Sequence, residues 1–584
     1  MKKIILGVNA YHGDSAACII VDGKLIAAVE EERFKRVKHW AGFPNESIGY
    51  CLSEAGISLI DVDYVAINTD PKANFFEKIV YSLIRRPNLS LIYDRYVKRN
   101  KKKSLKEEFE SFFPGNKFNG EVKYIEHHLC HLASAHLVSP FNRSVVLSVD
   151  GFGDFSSGSW GIGNGNTIQI DKNIHFPHSL GIFYQAFTQY LGFPHFGDEY
   201  KVMGLAPYGK PKFLNQLRKV VKQSTDGAYK LSLKYFTHHK GIVDHGNIDG
   251  VPSVSNLFDL KNVEKLLGFP PRVASDKIQD YHFDLAHSVQ AMYEEVFFHI
   301  LNILYEKYKI DNLSLAGGCA NNSVANGKVY RMTPFKNIYI AASAGDSGGA
   351  IGAAFAGLAS ITSNKNKKLF NMEHAYYGPS YSDAYIGLML KNRKESLANF
   401  AIKKIDDEKV LCETVAKLLT KDNVIGWFQG RMEWGPRALG NRSILADPRK
   451  KNMKDIINSK IKKRESFRPF APSILRDYVC EWFEEDDDVP FMMQVFLIKE
   501  EKRKLIPAVT HQDGTGRLQT VSHDANPLYH MLISAFFDIT DVPILLNTSF
   551  NENEPVVCKP EEALDCFLRT SMDAVVIGNY IVSR

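Results

Sequence analysis

An α/β protein with a duplicated N-terminal domain, and a second domain behind it, is the fold that this sequence predicts, the duplication resting on three observations. Residues 3–9, 16–21 and 25–30 read as three strands joined by His12-Gly13-Asp14-Ser15 and by the turn Asp22-Gly23, a β-meander with polar residues and Gly at its first bend. The same device returns at Ser144-Val145-Val146-Leu147-Ser148-Val149, turns through Asp150-Gly151-Phe152-Gly153-Asp154, and continues as Ser157-Gly158-Ser159-Trp160-Gly161-Ile162. Finally, Leu313-Ser314-Leu315-Ala316 is a strand ending in Gly317-Gly318 and running on to Asn321, where backbone can approach a nucleotide closely. The pattern implies two related halves facing one cleft.

The remaining elements follow in order. Residues 191–209 mix charge, Gly and Pro in the manner of an ordered loop near the cleft, where Glu199 and Lys201 can position substrate or, the favoured expectation, form a structural ion pair. Leu285, Val289, Met292, Val296, Ile300 and Leu304 recur at helical spacing, which predicts a core helix over 282–309 with no chemistry of its own. An Asn- and Lys-rich stretch over 362–368, with Gly378-Pro379 after it, sets a domain boundary near 370 and divides the chain into 1–370 and 371–584.

Composition narrows the function classes. With 584 residues, 45% of them apolar and 24% charged, the chain has the make-up of a soluble globular protein of two to four domains. No run of about 18 apolar residues occurs, and Met1-Lys2-Lys3 leads straight into a strand, so a cytoplasmic location and no membrane partner are expected. The eight cysteines contain no CxxC pair, which argues for reduced thiols rather than a disulfide frame or a cysteine zinc site. A net charge of +6 is mild for this length and gives little reason to expect nucleic acid. The basic run from Lys98 to Lys103 reads as a solvated face.

Two groups of residues carry chemistry. His127 and His131 in Glu126-His127-His128-Leu129-Cys130-His131 stand four apart and share one face of a helix, a half site for a divalent metal. Asp150 and Asp346 each follow a short apolar run, beside Gly151 and within Gly345-Asp346-Ser347-Gly348-Gly349. They can complete a mixed nitrogen and oxygen shell of the kind that suits iron, zinc or manganese. The second group is basic: Arg431, Arg437, Arg442, Arg449, Arg464, Arg468 and Arg476 recur beside Gly-Pro and Pro-Phe-Ala-Pro elements, and Arg517 follows in Asp513-Gly514-Thr515-Gly516-Arg517. Guanidinium forks in such settings suit phosphate or carboxylate. Asn547, where a buried strand empties into the turn Thr548-Ser549-Phe550-Asn551, is a further candidate to face a ligand.

The meanders and the Gly-Gly strand together resemble the superfamily of actin, sugar kinases and heat-shock chaperone ATPases. A more specific resemblance covers nearly the whole chain. His12-Gly13-Asp14-Ser15-Ala16-Ala17, Glu31-Glu32-Arg33-Phe34 with Lys38-His39, the HHxxH stretch, Asp150-Gly151, EYKVMGLAPYG, Gly317-Gly318, Gly345-Asp346-Ser347-Gly348-Gly349, GPRALGNRS, RESFRPFAP and LLNTSFN stand in an order that resembles the O-carbamoyltransferases of the nodulation-factor and antibiotic-tailoring family. That family includes the tobramycin carbamoyltransferase.

The resemblance implies an N-terminal actin-like ATPase-type domain, similar to the metal-dependent protein that installs threonylcarbamoyl on tRNA, and a C-terminal domain similar to its adenylate-forming partner, threonylcarbamoyl-AMP synthase. The implied reaction takes carbamoyl phosphate and ATP, with Mg2+, to carbamoyl adenylate, then moves the carbamoyl group to a hydroxyl of a small-molecule natural product or glycan. On this reading Arg437, Lys462, Arg464, Arg468 and Arg517 hold the phosphates, with Lys462 and Arg468 acting in catalysis. Gly317, Gly318, Asn321 and Asn547 contact nucleotide or substrate. His127, His131, Asp150 and Asp346 hold the metal, Fe(II) by the family's pattern, and His12 is the general base for the acceptor. A homodimer is allowed for. Three alternatives stand beside it: a sugar kinase of the same superfamily, a chaperone-like nucleotide-gated protein, and a tRNA threonylcarbamoylation enzyme fused to its adenylate-forming partner. Residues 70–120 and 230–280 are where acceptor selectivity is expected.

Overall fold

The structure, a computed structural model, describes residues 3–85, 104–240, 246–248, 250–463 and 467–584. These form two compact units, one of Met1–Asn321 with Val329–Met372, the other of Asn322–Lys328 with Glu373–Arg584. Arg464 and the basic run 98–103 lie outside the described residues.

The first unit contains one sheet design twice. Strands β1 (Ile4–Asn9), β2 (Ala16–Val21) and β3 (Lys24–Glu30) form an antiparallel meander, and β4 (Tyr64–Ile67) and β5 (Glu121–Tyr124) add on parallel to β1, giving the order β3-β2-β1-β4-β5. After helix α1 (His127–His136) come β6 (Arg143–Gly153), β7 (Ser156–Asn164) and β8 (Thr167–His175). Following helix α2 (Asp280–Tyr308), β9 (Asn312–Ala316) and β10 (Asn337–Ile340) join parallel to β6, in the order β8-β7-β6-β9-β10. The two orders and strand directions are the same, so the duplication lies in the topology. The third strand of the second meander, β8, was hidden in the sequence because its residues are mostly half-exposed and polar.

Small residues set how closely the layers approach. Strand β1 is buried along its whole length, as expected for a central strand covered on both faces. A Cβ on Gly7 would lie 2.1 Å from the Ala350 carbonyl of helix α3 (Gly348–Ile361), and one on Gly352 would lie 1.8 Å from the carbonyl of Cys130 in α1. Glycine at both positions lets α3 rest directly on β1 and on the metal-candidate helix. The core helix α2 buries Leu285, Val289, Met292, Val296, Ile300 and Leu304. The expected Glu199–Lys201 pair is corrected: Lys201 Nζ lies 2.8 Å from Asp198, one helical turn back along its own face.

The second unit is built on an eight-stranded mixed sheet. Its strands are β11 (Ala401–Lys404), β12 (Ile425–Phe428), β13 (Arg442–Ala446), β14 (Ala471–Leu475), β15 (Gln519–Val521), β16 (Ile544–Ser549), β17 (Ala574–Ile577) and β18 (Tyr580–Ser583), in the order β11-β18-β17-β12-β13-β16-β14-β15. Strands β12 and β13 are buried at every residue, the Arg442 and Ser443 side chains included. All eight cysteines are free thiols, six of them buried. No helix among the described residues is long and apolar enough to cross a membrane.

Candidate functional site

The metal-candidate residues converge. His127 opens α1, whose N-terminus is capped by the Glu126 carboxylate accepting from Leu129 N–H. The Asp154 carboxylate in the β6–β7 turn accepts from His127 N–H at 3.0 Å. One helical turn on, His131 brings its Nε2 to 3.0 Å from that of His127, and both rings are fully buried. Asp150, on β6, lies 3.3 and 3.4 Å from the two Nε2 atoms, and Asp346, in the turn leading into α3, lies 3.5 and 3.6 Å away. All four ligand atoms lie within 4.8 Å of one another.

Metal bonds of about 2.0–2.2 Å place neighbouring donors in a shell about 3.0–3.5 Å apart, so a divalent ion fits this quartet with little movement. The electrostatics point the same way. Burial alone lowers the proton affinity of His131, but hydrogen bonds and charge from Asp150 and Asp346 outweigh it and push the pKa up to about 10. The two carboxylates thus demand a cation, and without a metal a proton supplies it. The other helix histidines have different work. His128, its pKa brought down to about 3 by burial and then by the charges of His127 and His131, meets Ser148 Oγ through Nδ1 at 2.8 Å, and His136 meets Ser144 in the same way.

Two glycines create the space. A Cβ on Gly153 would sit 2.1 Å from the His127 ring, and one on Gly318 would sit 2.7 Å from Asp150 Oδ1. Gly318 N–H also donates to that oxygen at 2.8 Å, which aims the other carboxylate oxygen at the histidines. Gly317 has φ +91° with Val149 O where a Cβ would be, a backbone that only glycine enters without strain. Asn321 closes the same turn through Nδ2 to Gly318 O at 3.2 Å. The structure therefore sets Gly317, Gly318 and Asn321 beside the quartet. His12, from the β1–β2 turn, comes within 5.4 Å of His127, ring centre to ring centre.

In the second unit the arginines separate by role. Arg442 is fully buried and donates to the carbonyls of Gln429, Asn441, Pro379 and Gly430. Arg431 donates to the Tyr377 and Gly378 carbonyls, Arg449 pairs with Asp447, and Arg476 pairs with Asp486 and Asp488. Arg437 differs. Burial lowers its pKa to about 10, and none of the carbonyl contacts that hold Arg442 is made by its guanidinium; its Nε, like those of Arg442 and Arg517, is buried without a hydrogen-bond partner. A buried charge stripped of its partner costs about 3–5 kcal/mol, so a guanidinium held this way is suited to receive an anion.

The loop carrying Arg437 is strongly built. Glu433 Oε1 accepts from the backbone N–H groups of Leu439, Asn441 and Arg442 at 2.8, 2.8 and 3.0 Å. Asn547 Nδ2 donates to the Ala438 carbonyl at 3.1 Å, and Gln519 Nε2 to that of Leu439 at 2.8 Å. Asn547, only 1% exposed, thus holds the residue after Arg437. Arg517 precedes Gln519 by two residues on the chain, and Arg468 leads into β14. Lys462 is buried, with Nζ 2.6 Å from Ser549 O and 2.7 Å from both Asn551 O and Oδ1, contacts that pin the turn after β16. Sequence reasoning missed Gly153, Asp154 and Glu433. A glycine inside a strand signals close approach, which could have found the first; a lone acid before Gly-Pro carries no such signal.

Comparison with known proteins returns one family for both units. A family model described as carbamoyltransferase N-terminus matches residues 4–355, and one described as carbamoyltransferase C-terminus matches 416–584. An uncharacterized protein of Synechocystis is 40% identical over 99% of this chain and 96% of its own length. Nodulation protein NolNO of Sinorhizobium fredii is 38% identical over 99% of this chain and 80% of its own. The 3'-hydroxymethylcephem-O-carbamoyltransferase of Amycolatopsis lactamdurans is 33% identical over 41% of this chain and 42% of its own.

Proposed function

Starting from a chain that belongs to the carbamoyltransferase family, and so is an enzyme that moves a carbamoyl group from a donor to a hydroxyl acceptor, we propose that it does so through carbamoyl adenylate, one half-reaction in each unit. The observation that carries this reading is that each unit has a charged site of its own, a four-donor quartet in one and the Arg437 loop in the other.

In the second unit, Arg437, Arg468 and Arg517 bind the phosphate oxygens of carbamoyl phosphate and ATP. Carbamoyl phosphate and water give carbamate and phosphate; a carbamate oxygen then attacks the α-phosphorus of ATP, and pyrophosphate leaves. Guanidinium groups neutralise the charge that gathers on the phosphoryl oxygens in that step. Lys462, through Ser549 and Asn551, and Asn547, through Ala438, keep the surrounding turns in place.

In the first unit, His127, His131, Asp150 and Asp346 would hold a divalent ion, with Fe(II) our assignment, and such an ion would supply Lewis-acid polarisation of the carbamoyl group. The chain's own part is orientation and proton transfer. Gly317, Gly318 and Asn321 offer backbone to the nucleotide, and His12 takes the proton of the acceptor hydroxyl as its oxygen attacks the carbonyl carbon and AMP leaves. The relative named for a hydroxymethyl cephem supports a hydroxyl on a small molecule as acceptor, with a glycan hydroxyl the other acceptor class of this reading.

The test is to supply the purified, metal-loaded protein with labelled carbamoyl phosphate, ATP and a panel of hydroxylated acceptors. Label in an O-carbamoyl product, with one pyrophosphate and one AMP formed per product, is the expected result. Product formed without ATP would overturn the adenylate route.

A further inference from the structure

His511, in the turn before β15, has a hydrogen-bond pattern that fixes where its ring proton lies. Its Nδ1 is 3.0 Å from Thr515 Oγ1. That hydroxyl is also 2.7 Å from Asp513 Oδ1, which accepts in addition from Thr515 N–H at 3.2 Å. A carboxylate oxygen can only accept, so the single hydroxyl proton of Thr515 goes to Asp513. The Thr515 oxygen therefore accepts from His511, and the imidazole carries its hydrogen on Nδ1.

Nε2 is left as a bare lone pair. It is buried and makes no hydrogen bond. The Phe470 carbonyl lies near enough to raise the ring's proton affinity, yet offers Nε2 no bond of good geometry. Burial first, then the charges of Arg517 and Lys454, hold the imidazole pKa below its ordinary value against the pull of Asp513, which keeps the ring neutral. Beside the cationic groups of Arg517 and Lys454, Nε2 is thus an uncharged acceptor, held in that state by a threonine and an aspartate. Phosphate oxygens have no use for an acceptor. An amide N–H does.

We propose that His511 Nε2 accepts a hydrogen bond from the carbamoyl NH2 of the donor, and so selects a carbamoyl phosphate over acyl phosphates of the same shape. This rests on the activation reading given above for the second unit. Acetyl phosphate, with CH3 in place of NH2, is the natural competitor: it has the same phosphate for the arginines but leaves Nε2 unsatisfied. Losing a buried partner of this kind corresponds to about 10–100-fold in rate or affinity.

The experiment measures pyrophosphate release from ATP with carbamoyl phosphate and with acetyl phosphate, as the ratio of kcat/KM values, for the wild-type enzyme, His511→Phe and Thr515→Val. His511→Phe should lower the carbamoyl-to-acetyl preference by about 10–100-fold. Thr515→Val, which frees the ring to move its proton to Nε2, should lower it in the same direction by a smaller factor. A preference unchanged in both variants overturns the assignment, and Thr515→Val alone decides if His511→Phe does not fold. A wild-type enzyme that releases no pyrophosphate with carbamoyl phosphate would instead bring down the activation reading, and this inference with it.

Discussion

At the scale of single residues, the quartet behaves as one electrostatic object. Because His131 in the metal-free protein is pushed up to about 10, it carries a proton at neutral pH that an incoming metal must displace. The sign follows: acid favours the protonated, metal-free state, and affinity for the ion should rise about tenfold per pH unit from neutrality until it levels off near pH 10. Titration of the apo-protein with a divalent metal at pH 6.5, 7.5 and 8.5 checks this, and a flat profile would show that His131 does not bind that proton. Gly153 offers a second handle on the same residues. A methyl group there meets the His127 ring at 2.1 Å, so Gly153→Ala should displace a ligand without removing one. Metal affinity should fall by on the order of 10–100-fold, the range seen when a supporting group is lost, while the circular dichroism spectrum stays that of the wild type.

At the scale of elements, the Arg437 loop shows why some of the site was legible and some was not. HxxxH at helical spacing, followed by two aspartates next to glycines, can be read from the chain because each of those features has a geometric meaning by itself. The meander, the core helix α2 and the Gly-Gly turn belong to the same class. The arginines do not: seven of similar setting between residues 431 and 476 read alike in sequence, and only three-dimensional partners separate Arg442, wrapped in four carbonyls, from Arg437, which has none of them. The Glu199–Lys201 pairing failed for a related reason, since Asp198 is the acid that Lys201 reaches along the helix face. Glu433 is the element-scale prediction. Its carboxylate satisfies three buried N–H groups of one loop, so Glu433→Ala should cost on the order of 3 kcal/mol, the summed penalty of leaving several such donors unpaired. Thermal unfolding measures it; a melting temperature equal to the wild type's would mean that water or a rearranged loop takes over those bonds.

At the scale of the whole molecule, the duplicated five-stranded sheets and the eight-stranded sheet solve different chemical problems. The duplicated unit brings His12 from its first half to the ring of His127, which itself stands with Asp150 and Asp346, so residues more than 300 positions apart in the chain gather in one place. The second unit offers a mixed sheet whose loops, held by Glu433, Asn547 and Gln519, present basic groups. The nitrogen and oxygen donors of the first site suit a cation, and the guanidinium groups of the second suit an anion.

The division of labour between the two units is tested most directly by single-turnover measurement of pyrophosphate release and O-carbamoyl product in His131→Ala and Arg437→Ala, side by side. His131→Ala should release pyrophosphate from ATP and carbamoyl phosphate close to the wild-type rate and form product at least about 100-fold more slowly. Arg437→Ala should lose both signals together. Pyrophosphate release that disappears in His131→Ala and survives in Arg437→Ala would contradict the account.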